Sequence, residues 1–188
     1  ILVIFLFFTF SKLCKYTISN NKKKSFSKEK LNNTLYQISN DLNNSDINDW
    51  FVCYGTLLGI VRNNECIEND DDIDIIIDKK DLSKLNKLIQ DKEYKYKYKS
   101  PGNNFIQIKK DEVPIDFYIS DKTNNNYKDT WMDITWGNIY PIKQQKWKYG
   151  LVNIPNHPEK KLRNFYGENW KIPIRKGESE QIKKGNTI

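Results

Sequence analysis

Residues 54 to 78 read YGTLLGIVRNNECIENDDDIDIIID, and the fold turns on how this stretch is parsed. Ile73 to Ile77 is a nearly continuous apolar run between an acidic cluster and two lysines, the pattern of a buried strand. Asp72 and Asp74 stand two apart at the mouth of that strand, so both side chains leave the same face of the sheet. Two carboxylates about 4 Å apart repel by roughly 4 kcal/mol at an effective dielectric of about 20, and a bound cation removes that cost. An oxygen-only donor set suits Mg²⁺ or Mn²⁺, ions that share their coordination with substrate phosphates.

A third carboxylate stands at Asp116, in the run Val113-Pro114-Ile115-Asp116-Phe117. If this strand lies beside Ile73 to Ile77, Asp116 completes a three-aspartate metal cage of the kind that clamps phosphoryl groups during in-line displacement. Gly55-Thr56 falls between a first strand and a short helix, where backbone N–H groups and a hydroxyl can hold a phosphate. Asp70, Asp72 and Asp74 also match the opening of a calcium loop. That reading fails because Ile75 replaces the required glycine and Asp81 stands in the place of the bidentate glutamate.

Working outward, Trp50 to Tyr54 is a short buried strand, Thr56 to Val61 about a turn and a half of helix, and Asn63 to Asn69 a polar loop. Upstream, Leu31, Leu35, Ile38 and Leu42 recur at helical spacing and end in an Asn/Asp/Ser cluster at 43 to 49. Downstream, Asp81 is expected to cap a helix through Leu82, Leu85, Leu88 and Ile89. Tyr94, Tyr96 and Tyr98 alternate with lysines as a half-exposed strand, and Pro101-Gly102 turns the chain toward Phe105 to Ile108. Val113 to Ile119 closes this meander, with Pro114 near its start where a missing donor is tolerated. Two tryptophan-rich segments follow, then a short strand at Leu151 to Ile154 and a helix from Pro158 to Tyr166 stopped by Gly167.

Composition bounds the function classes. The 188 residues are 38% hydrophobic, 29% charged and 13% aromatic, enough for a packed core in one domain and incompatible with wholesale disorder. The net charge of +7 suits an anionic partner, but Arg62, Arg163 and Arg175 are the only arginines. Lysine and asparagine abound throughout, the signature of an AT-rich coding sequence. Three cysteines, Cys14, Cys53 and Cys66, form no disulfide framework or zinc spacing; a Ser-His-Asp triad could be built only around the single histidine, His157, and no GxSxG elbow accompanies it. The Tyr/Lys alternation at 94 to 99 is too little to indicate nucleic-acid binding.

Three segments are expected: residues 1–25, an apolar start followed by a polar linker; a domain over 26–176; and a polar tail over 177–188. Ile1 to Phe10 is half the length of about twenty apolar residues that crosses a bilayer, and reads as the end of a membrane anchor or of a signal peptide's apolar region. The lysines after it favour a cytoplasmic domain, against a lumenal one in the secretory pathway, and the sequence leaves the compartment open.

Gly55-Thr56-Leu57-Leu58-Gly59, Arg62 and Asp70-Asp71-Asp72-Ile73-Asp74 together resemble the signature of the LicD/fukutin family, a branch of the nucleotidyltransferase superfamily. The likeness continues through Ile115-Asp116-Phe117, Tyr140-Pro141, Val152-Asn153-Ile154-Pro155 and Tyr166-Gly167-Glu168-Asn169-Trp170, covering roughly residues 30 to 175. The resemblance implies an α+β (α/β) fold, a nucleotidyltransferase-like mixed β-sheet flanked by helices. It implies transfer of a phospho-alcohol, such as phosphocholine or ribitol phosphate, from a CDP-linked donor to a glycan acceptor. Asp72, Asp74 and Asp116 would then hold Mg²⁺ or Mn²⁺ and carry the chemistry. Gly55 and Thr56 would line the donor phosphates and Arg62 would sit by the acidic loop; Arg163 and Trp170 are candidates for substrate contact, with a solvated helix face and a core tryptophan as their other and favoured reading. Glu68-Asn69 departs from the Pro-Trp that bacterial members carry before the aspartates, so the entry to the site differs. Two other readings use the same residues: a transferase that moves the nucleotide itself, and a catalytically silent glycan- or nucleotide-binding module.

Overall fold

A computed structural model describes residues 24–173 and 186–188. Ile1 to Phe10, and most of the expected tail, lie outside them. No helix among the described residues is long and apolar enough to cross a membrane.

The helix expected from Leu31, Leu35, Ile38 and Leu42 is α1 (Lys28–Asn43), with Ser27 Oγ accepting from the N–H of Lys30 at 3.4 Å. All four residues are at most 1% exposed, and the helix packs on the sheet along this stripe. The sheet centres on β2 (Ile73–Asp78), flanked by antiparallel β1 (Trp50–Val52) and parallel β5 (Val113–Thr123). Beyond β5 lie β4 (Phe105–Lys110) and the edge strand β3 (Lys95–Lys99), both antiparallel, so the expected meander forms. β5 runs on past Ile119 because its far end pairs with β6 (Asn126–Asp129), which in turn pairs with β7 (Ile134–Trp136). Its length therefore reflects a partner that the apolar pattern of 113 to 119 does not show.

Register sorts the residues by face. Ile73, Ile75 and Ile77 lie beside Ile115, Phe117 and Ile119, all at most 1% exposed, and form the wholly apolar face. On the opposite face Asp74 lies beside Asp116, Ile76 beside Tyr118 and Asp78 beside Ser120. The apolar run IDIIID is thus an alternating strand whose inner positions on this second face are also buried.

α2 (Tyr54–Asn63) starts two residues earlier and ends two later than the expected turn and a half. The N–H of Leu57 already bonds the carbonyl of Cys53 at 2.9 Å, and Asn64, at φ 60, closes the other end. A Cβ at Gly59 would meet Glu65 O at 2.7 Å, so only glycine lets the following loop fold back on the helix. α3 (Leu82–Asp91) follows a 3₁₀ turn over Lys79–Asp81. Here the expected cap is displaced. Asp78 caps the turn through Lys80 N at 3.0 Å, whereas Asp81 makes no side-chain cap bond and pairs with Lys84 Nζ at 2.6 Å.

The tryptophan-rich segments, left unassigned from sequence, supply β7 and the hairpin β8 (Lys143–Trp147) with β9 (Gly150–Ile154), and bury Trp136 and Trp147 in the core. α4 (Pro158–Tyr166) ends at Gly167, φ 85, as expected. Residues 186–188 are not a detached tail: Ile188 is buried, its N–H bonds Thr135 O at 2.8 Å and its carbonyl accepts from Gly137 N at 2.7 Å.

Candidate functional site

The parallel pairing of β2 with β5 puts Asp74 and Asp116 side by side, and the extended lead-in to β2 brings Asp72 to them. One carboxylate oxygen from each of the three lies within 4.8 Å of the others, and Asp70, Asp71 and Asp72 form a second such group. Asp74 and Asp116 are 6% exposed, so their charges are largely removed from water. The carboxyl of Asp74 is held well above the usual carboxylate range, first by burial and then by Asp72, Asp116 and Asp70. A buried oxygen-only cluster whose charges repel is the arrangement that a hard divalent ion stabilises.

Each carboxylate is aimed by a neighbour. Tyr118 Oη donates to Asp74 Oδ1 at 3.1 Å, and Gln107 Nε2 donates to Asp116 Oδ1 at 2.5 Å. Thr56 holds Asp74 twice: its Oγ1 accepts from Asp74 N at 2.8 Å, and its own N–H donates to Asp74 Oδ2 at 3.4 Å. The acidic loop is pinned from outside the motif, Phe26 N donating to Asp70 O at 2.9 Å and Asn69 N to Phe26 O at 3.1 Å.

The residues named from the sequence separate into two groups. Gly55, Asp70, Asp71, Asp72 and Asp74 line one cavity of about 540 Å³ together with Tyr54, Tyr118, Met132, Phe165 and Tyr166. A Cβ at Gly55 would stand 2.9 Å from Asp70 Oδ2 and 3.4 Å from Asp74 Oδ2, so the start of α2 touches the acidic cluster directly. The hydroxyl of Thr56 is buried against Asp74 rather than turned into this cavity. Arg62 lies in the last turn of α2 beside Tyr166, where partial burial lowers its guanidinium from the ordinary value. Arg163 pairs with Glu168 at 3.2 Å on the surface, and Trp170 is 4% exposed in the core. Neither reaches the cavity wall.

Four side chains of the site were missed from sequence. Tyr118 follows Asp116 by two on the same strand, so period-two alternation was the available signal. Gln107 shares a face with Asp116 only once the β4–β5 register is known. Tyr54 is held at φ 41, a conformation that costs about 1–2 kcal/mol for a residue with a side chain, and its Oη donates to Asp129 Oδ2 at 2.5 Å. Asp129 also receives Trp131 N at 2.9 Å and Met132 N at 3.1 Å, which fixes the Trp131–Met132 loop at the cavity. The ring of Tyr54 meets those of Tyr118 and Phe165 edge-on or tilted at 4.9 and 5.3 Å. No sequence pattern joins Tyr54 to Asp129, 75 residues away.

A second cavity of about 370 Å³ opens on the other side of the cluster, lined by Lys24, Lys97, Gln107, Lys109 and Asp116 and sharing Asp71 and Asp72 with the first. The aspartates therefore stand between an aromatic cleft and a lysine-lined groove.

Among solved structures, the lincomycin-bound lincosamide antibiotic adenylyltransferase LnuA aligns at 13% identity and a TM-score of 0.53, covering 69% of this chain and 83% of its own. A putative nucleotidyltransferase from Thermotoga maritima aligns at 13% identity and a TM-score of 0.47, with coverages of 73% and 84%. The first of these shows that the chain has a nucleotidyltransferase-like fold, an α+β mixed sheet flanked by helices. Among curated proteins none matches closely enough to count as a relative. The nucleotidyltransferase-domain model of LicD/FKTN/FKRP matches residues 48–166, well over half of the chain and the whole span from β1 to the last residue of α4, so the protein belongs to the LicD/FKTN/FKRP family.

Proposed function

We propose that the protein is a metal-dependent phosphotransferase that moves a phospho-alcohol from a CDP-linked donor to a hydroxyl of a glycan acceptor. Family membership supports a transferase of the nucleotidyltransferase kind. The observation that carries the finer reading is the meeting of Asp72, Asp74 and Asp116 within 4.8 Å, from two strands and a loop.

Asp72, Asp74 and Asp116 would hold Mg²⁺ or Mn²⁺, which when bound neutralises charge on the transferring phosphoryl group and the leaving nucleotide. The chain's own groups do the rest. The N-terminal end of α2, with Gly55 against the carboxylates, faces the donor phosphates. Tyr54, Phe165 and Tyr166 offer the cleft's rings to the remainder of the donor. Asp116 accepts the proton of the acceptor hydroxyl as its oxygen bonds to phosphorus. The bond from phosphorus to the nucleotide phosphate breaks, and CMP departs with that electron pair.

A panel of CDP-alcohols with Mg²⁺ and a glycan acceptor, followed by release of CMP and by product mass, tests this. CMP release with a phospho-alcohol gained by the acceptor is the expected result. A nucleotide gained by the acceptor would replace this reading with nucleotidyl transfer, and tight nucleotide binding without metal dependence or turnover would replace it with the silent module.

A further inference from the structure

The lysine groove beside Asp116 has no part in the scheme so far, and its construction is specific. β3 carries a bulge between Tyr96 and Tyr98, where the register with β4 shifts and leaves Lys97 without a cross-strand partner. Bulges re-aim side chains beside functional sites, and here the extra residue lines the groove. On the next strand Lys109 lies two residues from Gln107, so both leave the same face of β4. Gln107 pairs in register with Asp116 and donates to it at 2.5 Å. Lys24 completes the wall. Glu112 is shared by Lys24 at 3.7 Å and Lys109 at 3.5 Å, and the groove's other carboxylates are Asp71, Asp72 and Asp116. A metal would offset Asp72 and Asp116, which leaves three ammonium groups facing Glu112 and Asp71.

We infer that this groove is the acceptor's entry and that Lys97 and Lys109 select an acceptor carrying an anionic group, a phosphate or a carboxylate, beside the hydroxyl that reacts. The assignment of acceptor rather than donor rests on the reading above, in which the donor phosphates meet Gly55 in the aromatic cleft and Asp116 receives the proton. An acceptor hydroxyl at Asp116 then has its neighbouring groups in the lysine groove. Lysine serves an anion as a mobile point charge, which suits a terminal phosphate or carboxylate whose orientation is not fixed by a fork.

The test uses the full chain with Mg²⁺ and three probes of one carbon skeleton: glycerol 3-phosphate, glycerate and glycerol. Binding is followed by amide NMR shifts and needs neither a CDP donor nor turnover. Glycerol 3-phosphate or glycerate shifts Lys97, Gln107 and Lys109 while glycerol does not, and the stronger of the two anions identifies which group the lysines take. Lys97→Ala and Lys109→Ala each weaken the anionic probe about tenfold, whereas Lys99→Ala, on the same strand but outside the groove wall, leaves it unchanged. With an active acceptor, the lysine variants raise KM and leave kcat near wild type. The inference is overturned if glycerol binds as well as the anions, if Lys99→Ala matters as much as Lys97→Ala, or if the shifts fall at Tyr54 and Tyr166 instead. Anion binding in the groove without transfer from any CDP-alcohol would count against the donor assignment alone. Transfer to a neutral acceptor that ignores Lys97 and Lys109 would leave that assignment standing and end this one.

Discussion

Thr56 and Asp74 clasp one another, the threonine hydroxyl accepting the aspartate's backbone N–H at 2.8 Å while the threonine N–H reaches the carboxylate at 3.4 Å. The clasp ties the first turn of α2 to the central strand at the point where the acidic groups converge. Thr56→Val keeps the shape and removes the acceptor, leaving a buried N–H unsatisfied at about 1–3 kcal/mol. For a domain of this size each kcal/mol lowers Tm by about 2–4 °C. A fall of about 2–12 °C and a matching loss of turnover are expected by thermal melting and steady-state rates, with Thr56→Ser close to wild type. A Val variant that melts and turns over normally would show that the clasp positions nothing.

Asp74→Asn separates charge from shape. Because burial and three carboxylates raise the Asp74 carboxyl in the folded state, its ionisation disfavours folding. Stability from this group is present below the unfolded value and is lost as pH rises through the folded one. Metal-free wild type therefore loses melting temperature on that rise, Asp74→Asn loses less, and only wild type regains stability on adding Mg²⁺. Turnover of Asp72→Asn, Asp74→Asn and Asp116→Asn falls by about a hundredfold or more with the fold intact by circular dichroism. Wild-type rates in any of the three would remove that residue from the chemistry.

How much of this was legible without coordinates follows from the range of each interaction. The stripe of α1, the strand at 73 to 77 and the stop at Gly167 are local patterns, and each appears where periodicity and end signals put it. The three carboxylates were legible as residues, but their meeting depended on the parallel β2–β5 register, which is a property of the whole sheet. Tyr118 was open to period-two reading and overlooked. Tyr54 with Asp129, and Phe26 with the acidic loop, join segments whose contact no local pattern encodes. Trp170 and Arg163 follow the favoured of their two readings, the fold using one for packing and the other for a surface ion pair.

Gly55→Ala sets helix propensity against proximity. Alanine in the first turn of α2 favours the helix by up to about 1 kcal/mol over glycine. The added Cβ would stand 2.9 Å from Asp70 Oδ2, so that carboxylate must move. Melting temperature is expected to change by no more than a few degrees while Mg²⁺ affinity, read by titration calorimetry, falls severalfold. Unchanged affinity would mean that the approach of α2 to the acidic loop has no bearing on the metal.

Lys161 gives a pH signature far from the aspartates. Its side chain is 4% exposed and its Nζ donates to the carbonyls of Gly137 and Ile188, so it fastens residues 186–188 to β7 and α4. Burial lowers the amine to about 8. A base lowered on folding penalises the folded state while it is charged in both states, and the penalty lifts as pH rises from the folded value toward the unfolded one near 10.5. The buried thiols of Cys53 and Cys66, both raised, act in the opposite sense from about pH 9, so the informative quantity is the difference between wild type and Lys161→Met. Between pH 8 and 10 the wild type should gain stability relative to Lys161→Met, by about 2 kcal/mol in denaturant titrations. Parallel curves for the two proteins across that window would show that the ammonium is not strained by its burial and that the docking of residues 186–188 does not depend on its charge state.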